Sequence, residues 1–265
     1  MSQPVGEGDR PEAAHAPTRP GYGPVAAVLV TVGIYLLVQV IVGLVIYLIL
    51  LAMGKSAAEI TDALSDPSTR VQFVLVLLVE SLTLGAIWLF LRARRTKLSA
   101  IGLVPPRARD GVYMVLGYLA YFAMLMVITV VAKKFAPSLN LEQEQDVGFS
   151  KSAAGLDLWM IFASLVILPP LAEEIVMRGF LYSGLRTKLP KIVAAVMVSV
   201  LFAAAHLQGG KAGDGLLWVA ALDTFTLSMI LVYLRERSGS LWPGIGVHML
   251  KNGIAFAALF IFKVL

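Results

Sequence analysis

Apolar residues in this chain run together in long blocks separated by short polar stretches, and the blocks recur from residue 24 almost to the C-terminus. Seven such blocks stand at about 24–53, 71–91, 111–132, 157–185, 192–208, 214–234 and 241–262. Each is near the roughly 20 residues that a helix needs to cross the hydrocarbon core of a bilayer. Only helices or closed barrels satisfy their backbone hydrogen bonds there. The pattern therefore predicts an all-α, polytopic transmembrane bundle of about seven to eight helices. The fourth block contains Pro169-Pro170. Two successive prolines remove two backbone donors, so this helix is expected to be kinked or broken, with a half-helix starting near residue 171 at membrane depth. Non-helical backbone at that depth is tolerated only where it is enclosed by protein or lines a cavity.

Composition agrees with a bilayer as the main solvent. Of 265 residues, 58% are apolar and only 15% are charged, against about a quarter charged in soluble domains; mean hydropathy is +0.81. Residues 1–23 are rich in Pro, Gly, Glu and Arg and read as a disordered cytoplasmic tail. Residues 24–150 read as N-terminal transmembrane helices, and 151–265 as a transmembrane core. The net charge of +5 sits between the apolar blocks, which sets orientation and gives no nucleic-acid face. Thirteen Lys and Arg fall in the tail, 92–110, 186–191 and 235–240, against seven in the alternate set of loops. The N-terminus is thus expected on the cytoplasmic side, and the acidic segment 142–146 on the outer side. There is no Cys, which excludes thiolate nucleophiles and Cys-based metal sites. Of three histidines, His15 lies in the tail, leaving His206 and His248 for chemistry.

Ionisable side chains within apolar spans are costly and point to function by default. Here they are Glu80, Glu173, Glu174, Arg178, His206, Asp223, His248 and Lys251. Glu174 and Arg178, four apart, share a helix face and are expected to pair. Glu173 points about 100° away around the helix, which leaves it available as a general base. Phe202-x-x-x-His206 puts a ring and an imidazole on one face; the Phe by itself reads as core packing. His248-x-x-x-Asn252 sets an imidazole beside a carboxamide, a pair suited to an oxyanion hole or to polar contacts between membrane helices. At about 1.5 Å per residue, Glu173, His206 and His248 lie roughly 16–22 Å from the nearest basic loop residue on their own helices. Three helices thus bring polar groups to similar depth. Glu80 and Asp223 either line the cavity or bond a neighbouring helix, the second being favoured.

Together these groups supply the parts for metal-free, water-driven amide hydrolysis. Zinc is the alternative, since Glu and His also ligate it, but no H-E-x-x-H helix is present. A non-catalytic membrane scaffold or binding protein with the same fold, and a transporter, are rival readings. The transporter is disfavoured because no inverted repeat is seen.

Three motifs in this order resemble the CPBP family of CAAX proteases and bacteriocin-processing enzymes (also called Abi), which includes the Ras-converting CAAX endopeptidase, a glutamic intramembrane protease. The first is Pro170-Leu-Ala-Glu173-Glu174-Ile-Val-Met-Arg178-Gly179; the others are Phe202 to His206 and His248 to Asn252. The approach Ser238-Gly-Ser-Leu-Trp242 is also similar, while Met177 stands where an aromatic often precedes the Arg. The resemblance covers about 155–260. It implies that Glu173 and His206 activate water, that His248 and Asn252 stabilise the oxyanion, and that Glu174 and Arg178 support the site, without a cofactor. It also implies peptide or membrane-protein substrates within the lipid bilayer. These are prenylated proteins losing a C-terminal tripeptide in eukaryotes, or maturing peptides and membrane proteins in bacteria. Compact loops favour a bacterial cell membrane.

Overall fold

The computed structural model describes residues 19–65, 67–137, 147–207 and 216–264. The expected tail (mostly residues 1–18) and the acidic segment 142–146 lie outside the described residues. Within them the chain forms eight α-helices and no strand ladder: α1 Pro24–Ala52, α2 Ala57–Ser65, α3 Thr69–Ala93, α4 Ala108–Phe135, α5 Leu156–Leu185, α6 Lys191–Ala205, α7 Trp218–Ser238 and α8 Trp242–Phe262. Six of these (α1, α3, α4, α5, α7 and α8) are long and apolar enough to cross a membrane. The chain is an integral membrane protein.

Each of the seven apolar blocks is a helix, but the fifth is shorter than its composition implies. α6 has 15 residues, about 22 Å at 1.5 Å per residue, against a core of about 30 Å. It stops at His206, whose backbone N–H bonds the Ala203 carbonyl in a final tight turn. The short α2, not among the blocks, begins with a capping box: Ser56 N–H donates to Glu59 Oε2 at 2.9 Å and Glu59 N–H donates to Ser56 Oγ at 3.3 Å. The Ser56 backbone bond holds the Glu59 carboxyl below its usual range.

α5 and α7 are the most enclosed spans, whereas α1, α3 and α4 expose most of their surface. α1 is apolar on every side and buries only Ala27, Thr31, Val38 and Val42, as expected of a helix whose outer faces meet lipid. The main core joins α5 to its neighbours through Phe180, Leu181, Leu185, Val198, Phe202 and Val232. A close crossing between α1 and α5 depends on Gly184, where a Cβ would stand 2.5 Å from Ala27 Cβ. Tyr22, just ahead of α1, stacks on Phe180 with centroids 4.5 Å apart and donates its hydroxyl to the Phe180 carbonyl at 2.9 Å.

The turn from α7 to α8 sets the register of the last helix. Gly239 caps α7 at φ +71°, the left-handed region that glycine reaches without strain. Ser238 Oγ then donates to the Leu234 carbonyl at 2.7 Å, and Trp242 Nε1 donates to the Val104 carbonyl at 2.6 Å. The second bond ties the Ser238–Trp242 segment to the loop before α4.

Candidate functional site

The double proline interrupts the α-helical pattern of α5 without opening a gap. Ahead of it, Ala163–Ile167 adopts the wider π form, and the α-pattern restarts at Leu168 with prolines in its first turn. A second π stretch follows at Glu174–Leu181. Glu173 is the last residue of the six-residue α-helical segment between two widened turns, an arrangement frequent at functional sites. The expected half-helix is therefore realised as a change of helical form inside a continuous run.

The prolines leave a defect that α8 repairs. The carbonyl of Leu165 would be bonded by the amide four or five residues on, and both positions are proline. Asn252 Nδ2 donates to this carbonyl at 2.9 Å. A buried carbonyl needs a donor, so the carboxamide fastens α8 to the π segment of α5.

Glu173 and Glu174 diverge as the helical geometry predicts. Glu174 is fully buried and accepts from Arg178 Nη1 at 2.9 Å. The Arg178 guanidinium, also fully buried, lies over the Phe202 ring at 4.4 Å from its centroid, a desolvated cation–π contact. His248 Nδ1 donates to the same Glu174 oxygen at 3.2 Å. Glu173 turns to the two histidines: its Oε1 is 4.0 Å from His206 Nε2 and its Oε2 is 3.7 Å from His248 Nε2. Its side chain keeps 28% exposure beside the fully buried Glu174. One carboxylate is thus built into the packing while the other faces open space.

Hydrogen bonding fixes the histidine tautomers. His206 Nδ1 lies 2.8 Å from the Phe202 carbonyl, which can only accept, so Nδ1 carries the proton. In the neutral ring, Nε2 then presents a lone pair toward Glu173. By the same reasoning His248 Nδ1 carries a proton toward Glu174.

The site thus assembles Glu173, Glu174 and Arg178 from α5, His206 from the end of α6, and His248 from α8. Asn252 is one turn beyond His248, with its amide on α5. Phe202, expected only to fill the core, touches three of these groups. Besides covering Arg178, it packs on His206 with centroids 4.5 Å apart and meets His248 edge-on at 6.0 Å. Its i, i+4 relation to His206 was visible in the sequence, but its contact with Arg178 crosses helices.

Asp223 and Lys251 stand apart as a bonded set: Lys251 Nζ lies 2.7 Å from Asp223 Oδ2, and Tyr121 donates its hydroxyl to Asp223. This links α4, α7 and α8 as the favoured reading of Asp223 required. Glu80 does not follow that reading. It lines a cavity together with Glu173 and His206. Among the described residues no group of three His, Asp or Glu converges as a metal-ligand set.

All three motifs fall within one stretch that has known relatives. Residues 155–254 match the Rce1-like family of type II CAAX prenyl endopeptidases. This Rce1-like segment runs from the start of α5 into α8 and contains every residue of the cluster around Glu173. α1 to α4, with Glu80 and Tyr121, lie outside it. No curated protein and no solved structure matches the chain. Residues 155–254 are thus similar to a CAAX protease family, and the six apolar spans make the chain an integral membrane protein.

Proposed function

We propose that this chain is an intramembrane endopeptidase of the glutamic type, hydrolysing peptide bonds of membrane-associated peptides or proteins. The observation that carries the reading is the approach of Glu173 to both His206 and His248 beside a buried Glu174–Arg178 pair.

Glu173 and the lone pair of His206 Nε2 are both acceptors, separated by 4.0 Å. That is too long for a direct hydrogen bond and suits a water that donates one proton to each. The water's own lone pair is then directed at a scissile carbonyl, and its proton passes to Glu173 as the C–O bond forms. Glu173 returns that proton to the leaving amine as the C–N bond breaks. The oxyanion is met by His248 and Asn252. Donation from His248 Nε2 as well as Nδ1 requires the imidazolium form, and the carboxylates of Glu173 and Glu174 flank that charge. One amide proton of Asn252 goes to Leu165, and a carboxamide has a second. Glu174 and Arg178 hold His248 in place and do not touch substrate.

We place residues 151–265 as the catalytic core and 24–150 as helices that wall it. The N-terminus is assigned to the cytoplasm from the basic loops, and the chain to a bacterial cell membrane from the shortness of its loops. Cleavage of a quenched peptide library by the detergent-purified chain, with and without chelator, tests the reaction type. Turnover that survives chelator supports the glutamic mechanism, and turnover lost with chelator indicates zinc instead. Absence of turnover on every peptide would favour a scaffold that keeps the fold.

A further inference from the structure

The cavity next to Glu173 has a volume of about 380 Å³ and is lined by α1, α3, α5 and α6. Its chemistry is uneven. Most of the wall is aliphatic, but Glu80 and Thr83 enter from α3, one turn apart, and Thr31 and Gln39 from α1. The wall holds two carboxyl groups, Glu80 and Glu173, and no Lys or Arg. Among the described residues Glu80 has no hydrogen-bond or ion-pair partner, and the charged group nearest in effect is Glu173. Thr31 adds a second unmet group: its hydroxyl is buried and has no hydrogen-bond partner. Buried polar groups are ordinarily satisfied, and an acid inside a membrane span ordinarily finds a partner. Asp223 has found one in Lys251; Glu80 has not.

We propose that Glu80, in the cavity wall, is a specificity site that receives a Lys or Arg side chain of the peptide being cleaved. A wall with two carboxyl groups and no Lys or Arg attracts a cation, and the aliphatic remainder suits the methylene stem of a long basic side chain. The volume lies in the range of pockets that enclose a ligand group. A basic side chain seated on Glu80 brings its own backbone into the cavity that Glu173 and His206 also line. Glu80 is outside the Rce1-like segment, so this preference belongs to the N-terminal helices. The identity of the ligand as a peptide rests on the peptidase reading above.

The test is a binding measurement that needs no turnover. Two fluorescent apolar peptides, identical except for Lys or Gln at one central position, are titrated with the full chain in nanodiscs of zwitterionic lipid. The wild type is expected to bind the Lys peptide about tenfold or more tightly than the Gln peptide, as a charge-assisted hydrogen bond provides. Glu80→Gln brings the ratio close to one, Glu80→Asp keeps part of it, and Glu173→Gln keeps more of it than Glu80→Gln does. A wild-type ratio near one overturns the proposal. So does a ratio retained in Glu80→Gln, or one lost only in Glu173→Gln. If the preference holds but no peptide is ever hydrolysed, the peptidase reading fails while the cation site stands.

Discussion

Removing the charge of Glu174 leaves Arg178 buried without its counter-ion, and the structure sets the size of the penalty. Both side chains are fully buried and joined at 2.9 Å. Breaking such a pair from one side costs about 3–5 kcal/mol, because the surviving charge remains desolvated. The cation–π contact with Phe202 at 4.4 Å offsets about 2 kcal/mol of that charge's desolvation but is present in wild type as well, so it does not reduce the difference. At about 2–4 °C per kcal/mol for a chain of this size, Glu174→Gln should lower Tm by about 6–20 °C. Replacing both partners, as in Glu174→Gln with Arg178→Met, removes the stranded charge, so the double variant should be more stable than Glu174→Gln alone. The assay is thermal unfolding in one detergent, followed by tryptophan fluorescence, on wild type, both singles and the double. Strict additivity of the two singles would refute the reasoning, because it would mean that the groups do not depend on one another.

Two further outcomes follow from the packing of α5. Asn252→Ala should destabilise the chain by about 1–3 kcal/mol, the cost of a carbonyl left unsatisfied, read as a lower Tm; a variant as stable as wild type would mean that another donor reaches Leu165. Gly184→Ala should cost about 1–3 kcal/mol through overpacking, since its Cβ would meet Ala27 and Tyr22 at 2.5 and 2.7 Å. An unchanged Tm there would show that α1 moves away from α5 freely.

Spans and their order were readable because membrane helices announce themselves by apolar length alone. The face on which each polar residue lies was readable too. Four-residue spacing paired Glu174 with Arg178 and turned Glu173 elsewhere, and that separation holds in three dimensions. The length of α6 was not readable: the apolar block gave no sharp end point, but the helix stops at Ala205, where His206 takes its place beside Glu173. The form of the break in α5 was also hidden, since two prolines remove donors without saying whether the chain will kink, open or widen into π turns. Asn252 has a partner that sequence could suggest only after that form is known. Phe202 and Glu80 depend on contacts between helices far apart in the chain, which a pattern on one helix does not record.

The central claim is that Glu173 does the chemistry, and the most direct measurement is peptide cleavage by Glu173→Gln beside wild type, each in chelator and at matched folded concentration. The glutamine keeps the size of the side chain and removes its basicity. The account predicts a loss of kcat of about 10²-fold or more, as for removal of a general base, with Tm close to wild type. Cleavage within a few-fold of wild type would contradict it and move the reaction to other residues of the cavity.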